Sequence, residues 1–385
     1  MIYADYNATT PVDSRVVEAM TSALSNNFGN PASSLHSVGA MAKEAVEHSR
    51  TVIAYALGVR PQDVVFTSGA TESLNLAIHG VLSREVQDPR SRRRRVLIAS
   101  TEHKAVIESA SYWCGQFGFT LQELHVDSSG LVPIQTLASQ MDVDVALVAI
   151  ALANNETGVI NPIRELSESV HSFGSLFLTD ATQALGKIPL DIGELDVDLA
   201  AVSAHKAYGP KGVGALIGTR KILNHLPSYQ SGGGQEKGIR GGTLNVPGIV
   251  GFACAAEIVT TDLKQWTREI AELKTYLISE VTRRVHDVHI NGQSAPTLAN
   301  TINLRFIGAD SEAVINATRG IAISTGSACQ SSVPAPSHVL TAMGLQHHEA
   351  RECLRISLGR YSTKSEVDEI VTQLVQAVSH VRSVS

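Results

Sequence analysis

Cysteine is scarce in this chain. Four occur in 385 residues, at positions 114, 254, 329 and 353, and no two stand as Cys-x-x-Cys. Such scatter argues against a disulfide framework and a thiolate zinc site, and it points to a reducing cytoplasm. No uninterrupted apolar stretch reaches the length of a membrane span, and the N-terminus has no signal-peptide hydrophobic region, so neither an anchor nor secretion is expected. Internal repeats and low-complexity tracts are missing too. A net charge of -6 argues against the whole molecule binding nucleic acid. There is no Gly-x-Gly-x-x-Gly after a strand and no Walker lysine, which removes the dinucleotide fingerprint and the nucleotide P-loop.

What is there describes a globular enzyme. Hydrophobic residues make up 43% and charged residues 18%, and thirty glycines supply tight turns. A chain of 385 residues exceeds one ordinary core, so two domains are expected.

Apolar runs and helical periodicities alternate from residue 64 onward. Strands are expected at 64–66, 96–99, 119–124, 144–151, 176–179 and 199–202, with helices at 104–117, 133–141 and 163–173 between them. This cadence predicts an α/β fold with a mostly parallel, doubly wound sheet. Val213–Ile217 reads as a strand covering that sheet. A helix over 264–285 leads out of the large domain, which spans 15–260, and the smaller α/β domain comprises 1–14 and 261–385. Arg90 to Arg95 holds five arginines in six residues and reads as a solvated loop. Cys114 and Cys254 fall in apolar helical patterns, Cys353 reads as a core residue, and His347 and His348 fall in a loop.

Polar motifs cluster at the strand ends, where open α/β sheets bind ligands. Gly69-Ala70-Thr71-Glu72 turns from a strand into a helix and offers free backbone N–H groups to an anion. His103 follows the next strand. Asn155 lies in Asn-Asn-Glu-Thr-Gly, and Asp180 with Gln183 follows another buried strand. Ser203-Ala204-His205-Lys206 puts a lysine where a strand opens into a loop. That lysine is either a solvated loop residue or a desolvated amine able to bond an aldehyde. The company it keeps favours the second reading. Pyridoxal phosphate (PLP) needs an anion cradle for its phosphate, a carboxylate for its ring nitrogen and a lysine for its aldehyde, and Arg355 suits a substrate carboxylate.

In this order and wording the motifs resemble the cysteine desulfurases of aminotransferase class V, the NifS/IscS group. The resemblance runs from Tyr3-Ala4-Asp5-Tyr6-Asn7-Ala8-Thr9-Thr10-Pro11 to Arg355-Ile356-Ser357-Leu358-Gly359-Arg360. It implies a fold-type I PLP homodimer that converts L-cysteine to L-alanine and leaves the sulfur as a persulfide for an acceptor protein. It further implies that Lys206 holds the cofactor, Asp180 meets the ring nitrogen, and His103 stacks on the ring and shuttles protons. Gln183 and Asn155 lie on the ring-hydroxyl side, with Asn155 also touching substrate. Ala70, Thr71, Ser203 and His205 hold the phosphate, joined by Thr243 of the other subunit. Arg355 anchors the substrate carboxylate, and Cys329 in Gly-Ser-Ala-Cys accepts the sulfur.

Two features depart from the group's housekeeping type. The chain stops at Ser385 soon after its last helix, where the IscS type carries a longer tail that docks an iron–sulfur scaffold. This turns the expectation toward a dedicated sulfur acceptor, such as the machinery of DNA phosphorothioation, while an Fe–S assembly protein remains the alternative. Val333-Pro334-Ala335-Pro336 adds a proline after Cys329, which stiffens the expected acceptor loop. The competing readings are another class V enzyme, such as an aminotransferase or kynureninase-like hydrolase, and a catalytically idle sulfur carrier.

Overall fold

In the computed structural model, residues 1–325 and 336–384 are described, and Cys329 lies outside them. The described strands are, in chain order, β1 (Ile2–Tyr3), β2 (Val64–Thr67), β3 (Arg95–Ala99), β4 (Thr120–Leu124), β5 (Val145–Ala149), β6 (Leu176–Asp180), β7 (Leu199–Ser203), β8 (Gly214–Gly218), β9 (Val288–Ile290), β10 (Thr301–Phe306), β11 (Ile321–Ala322) and β12 (Cys353–Ser357).

Seven of them form one sheet in the order β2-β8-β7-β6-β5-β3-β4. The run from β7 through β4 is parallel, because each crossover is a helix, whereas β8 is antiparallel to both β2 and β7. Both faces are covered, so the central strands are apolar throughout. Alternation then sorts the side chains. Leu199 and Ala201 pack on one face with Leu74, Ile78 and Val81, while Ala200 and Val202 pack on the other with Ile53, Phe177 and Phe252.

A second, antiparallel sheet in the order β12-β10-β9 has its own core. Leu304, Phe306 and Ile356 meet Leu277 and Val281 of the helix Leu263–Arg284 and Leu374 of the helix Lys364–Val384. The chain start joins this region: β1 pairs in parallel with β11, and Asp5 bridges to Ser357.

Several expectations need correction. The segment at 213–217 does not cover the sheet but lies inside it, since its length and apolarity fit a buried strand and periodicity cannot give direction. His347 opens a short helix, His347–Arg351, rather than a loop, with Glu349 capping the N–H of Gln346. In the arginine run, Arg93 donates to Phe173 O (2.9 Å) and Ser175 Oγ (3.1 Å), and Arg95 pairs with Asp144 (2.8 Å), so these two tie together the amino ends of β3, β5 and β6 instead of being solvated. Among the described residues no single helix is long and apolar enough to cross a membrane. The most apolar helix, Val246–Thr261, is buried against the helices Ser14–Asn26 and Ser37–Ala56.

Two glycines set the shape of the sheet's upper edge. A Cβ on Gly214 would sit 2.6 Å from Val202 O and 2.7 Å from Gly69 Cα, both rigid backbone. Gly214→Ala is therefore expected to cost about 1–3 kcal/mol in chemical denaturation, as overpacking does, by pushing the Gly69 turn away from β8.

Candidate active site

The carboxyl ends of β3, β5, β6 and β7 open into a cavity of about 470 Å³, a volume suited to a small cofactor with substrate. Ala70, Thr71, His103, Asn155, Asp180, Gln183, Ser203, His205, Lys206 and Arg355 all line it. Thr243 does not: in this chain it lies exposed on the glycine-rich loop.

At the floor, the helix Ala70–Gln87 begins with Gly69 at φ 153°, a conformation that favours glycine, and Gly69 offers no side-chain cap. The first N–H groups of that helix have no intrahelical partner and face Ser203 and His205 across the cavity. A Cβ on Gly69 would come 3.8 Å from Ser203 Oγ, narrowing the cradle. This is a place for an anion.

The opposite wall holds the cations. Lys206 ends the short turn after β7, and its amine donates to Ala8 O (2.8 Å) and Asn7 O. Arg355, 3% exposed, leaves β12 and donates to Asn155 O (3.0 Å) and to Asp5 Oδ1 (2.5 Å). Its Nε is buried without a partner among the described residues, as are Thr182 Oγ1 and His338 Nδ1 of the same lining. A buried, unpaired guanidinium edge calls for an acceptor, and a carboxylate fits it. Asp180 accepts from Thr182 N–H (2.9 Å) at the end of β6.

His103 caps the helix Lys104–Phe117: its Nδ1 accepts from Ala105 N–H (3.1 Å). The neutral ring must then carry its proton on Nε2. Burial lowers the His103 pKa, against the pull of Asp180, and Lys206 lowers it further. Burial also pushes His205 down to about 4, helped by Lys206, Lys211 and Lys187.

Several functional residues escaped sequence reasoning. Asn7 and Ala8 belong to the opening motif, but nothing local shows that their carbonyls meet Lys206. Glu102 and Glu156 are buried acids held toward the neutral form, Glu102 accepting from Ala151 N–H (2.6 Å) and Glu156 from Ser337 Oγ (2.5 Å). Lys187 gave no sequence signal, since the four-residue spacing from Gln183 brings side chains together on a helix and 182–188 is a run of turns. As expected, Cys114 and Cys353 are buried; Cys254 is only half-buried.

The titration of His205 has a measurable sign. The folded protein keeps it neutral down to about pH 4, whereas the unfolded chain protonates it near 6.5. Between those values the unfolded state binds more protons, so stability falls as pH falls. His205→Gln should flatten the decline of the unfolding midpoint between pH 6.5 and 4 relative to the unmutated cofactor-free protein.

The aminotransferase class-V family profile matches residues 2–370. A cysteine desulfurase of Frankia sp. (strain EuIK1) is 45% identical over 394 aligned residues, covering 100% of this chain and 93% of that protein. Among solved structures, a NifS-like protein superposes with a TM-score of 0.89 at 36% identity, covering 98% of this chain and 99% of the other. DndA from Streptomyces lividans gives a TM-score of 0.77 at 34% identity, covering 91% and 98%. The chain belongs to the aminotransferase class-V family, among relatives that are cysteine desulfurases.

Proposed function

We propose that this protein is a PLP-dependent cysteine desulfurase that takes sulfur from L-cysteine, leaves L-alanine, and passes the sulfur through an enzyme persulfide to an acceptor. The observation that carries this reading is the meeting of Lys206, Asp180, His103 and Arg355 around one cavity above the Gly69–Thr71 cradle. The residues fit the cofactor. Ala70, Thr71, Ser203 and His205 would hold its phosphate, with Thr243 of a second copy completing the cradle in a homodimer. Asp180 would keep its ring nitrogen protonated, Gln183 and Asn155 would face its ring oxygen, and Lys206 would hold its aldehyde. When bound, the cofactor supplies an electron sink that acidifies the substrate's α-carbon and lets the carbon–sulfur bond break. A large unit of residues 15–260 would carry this site, and a small unit of 1–14 and 261–385 would bring Arg355 and Cys329.

The chain's own groups do the rest. Arg355 offers its unpaired Nε edge to the substrate carboxylate, held in orientation by Asp5 and Asn155 O. Lys206, drawn toward Asn7 O and Ala8 O, takes the α-proton once its amine is free. His103, with Nδ1 occupied by Ala105 N–H, presents an Nε2–H and so acts as a donor. It can accept a proton only by giving up its cap.

Cys329 lies outside the described residues. Both flanks of its segment are fixed at the cavity wall: Ser324 exchanges backbone hydrogen bonds with Arg355 (2.6 and 3.2 Å), and Ser337 bonds Glu156. Four Cα–Cα steps lead from Thr325 to Cys329, at most ~14 Å of chain. The Cys329 thiolate attacks the substrate sulfur; the sulfur–sulfur bond forms, the carbon–sulfur bond breaks, and the carbon retains the electron pair and takes a proton to become alanine. An acceptor thiol then collects the terminal sulfur, chemistry suited to the reducing interior of a cell.

Peptide mass mapping after incubation with cysteine and alkylation should find the extra sulfur on Cys329. Cys329→Ser should abolish that adduct, and Lys206→Ala should lower alanine formation by about 10²–10⁴-fold, the scale of lost proton transfer, with loss of the visible cofactor band. Extra sulfur on another cysteine, or alanine release at the normal rate by Cys329→Ser, would overturn the reading. Arg355→Lys should raise KM for cysteine about 10–100-fold, reflecting a lost charge-assisted hydrogen bond of roughly 1.5–3 kcal/mol.

A further inference from the structure

Lys187 is a half-buried lysine, its amine turned inward, that the chemistry above does not use. It stands behind Gln183, away from the cavity lining. Its Nζ donates to Gln183 Oε1 and, at 3.0 Å, to Asn7 Oδ1. Among the described residues no carboxylate lies within 4 Å of that nitrogen; the charged groups bearing on it are the cations Lys206 and Arg355, the latter paired with Asp5. Burial and these two cations hold its pKa well below the ordinary lysine value.

The two ends of a glutamine amide have nearly the same shape, so only hydrogen-bond partners decide which way it points. Here both ends are fixed. The oxygen faces the Lys187 amine, and Nε2 gives one hydrogen to Asn7 O (3.0 Å). The second Nε2–H is left for the cavity that Gln183 lines. A flip would set the NH2 group against the Lys187 amine and one carbonyl oxygen against another. Asn7 is locked by the same logic: its Oδ1 accepts from Lys187 and from Asn300 Nδ2 (3.0 Å), and its Nδ2 donates to Thr301 Oγ1 (2.8 Å) and Asn155 O (3.1 Å).

We propose that Lys187 is a positioning residue of this active site, fixing the Gln183 amide so that an N–H, not a carbonyl, faces the cofactor's ring oxygen. This inference rests on the PLP reading above. An N–H donated to that oxygen stabilises its anionic form and competes with the proton the cofactor shares with its lysine linkage. The visible band of the cofactor-loaded protein then titrates at lower pH than it would with the amide turned round.

The experiment compares unmutated protein, Lys187→Met, Gln183→Leu and the double variant, each cofactor-loaded. It reads the pH midpoint of the visible band, PLP retention on dilution, and thermal unfolding. Lys187→Met should keep the band, raise its midpoint by about one pH unit, tenfold in proton affinity, and weaken PLP retention about tenfold. Because Lys187 acts through Gln183, the double variant should shift no further than Gln183→Leu alone. A folded Lys187→Met with an unchanged midpoint, or a double variant whose shift is the sum of the two singles, would overturn the proposal. Lys187→Ala carries the same expectations if Lys187→Met does not fold. A missing cofactor band in the unmutated protein would instead overturn the PLP reading itself.

Discussion

The structure depends on one buried asparagine in the opening strap. Asn7 is 1% exposed, and its amide and backbone touch both sheets and the loops between them. Its N–H donates to Ser357 Oγ (2.9 Å) on β12, its side chain meets Thr301 on β10 and Asn155 after β5, and its carbonyl receives Gln183 and Lys206. Each bond adds only about 1 kcal/mol net, but a buried partner left unmet costs about 1–3 kcal/mol. Removing the hub would orphan several such groups at once. A single short segment thus sets the distance between Lys206, which the seven-stranded sheet carries, and Arg355, which the three-stranded sheet carries.

Charge is handled differently on the two sides of the cavity. Two buried acids, Glu102 and Glu156, are pushed toward their neutral forms, and His205 is kept neutral by burial, helped by its cationic neighbours. Lys104, Lys206, Lys211 and Arg355 stand on the lining; of its carboxylates Glu72 is paired with Arg240 and Glu156 is pushed toward neutral, which leaves Asp180, with Asp5 beside Arg355. Such an arrangement leaves the cavity wanting negative charge, since a buried cation is costly until paired. On the reading proposed above, a doubly charged phosphate over the Gly69 cradle and a carboxylate on Arg355 would answer that need in two separate places.

How much of this was legible depended on the range of each interaction. The parallel strands showed because every buried strand is an apolar run, and their polar ends showed because Asp180, His103 and Lys206 interrupt those runs abruptly. β8 hid its direction, for a central strand reads alike either way. Its reversal matters: an antiparallel strand begins where its neighbours end, which brings Lys211 and Gly212 to the cavity. β1 is two residues long and pairs with β11, more than 300 residues away, so no local pattern announces it. The Asn7 contacts span 148 to 350 residues and are likewise silent in the sequence. The arginine run misled because solvation is the ordinary state of such a run, while here Arg93 finds backbone carbonyls at the amino ends of β5 and β6.

Sulfur must also reach one thiol and avoid the others, and burial supplies that selection. A thiol attacks only as thiolate. Cys114 is pushed up to about 11 by burial, and Cys353 to about 12 despite the hydrogen bond from Asn291. Burial raises Cys254 as well, and Glu257 adds to the effect. Cys353 lies two residues from Arg355 on β12, so proximity in sequence would favour it as an acceptor. Its Sγ is instead held in the core, donating to Glu349 O and accepting from Asn291 Nδ2 (both 3.3 Å). The core therefore does more than hold the site together: it holds Cys114, Cys254 and Cys353 away from the thiolate form, and on the reading proposed above the acceptor role falls to Cys329.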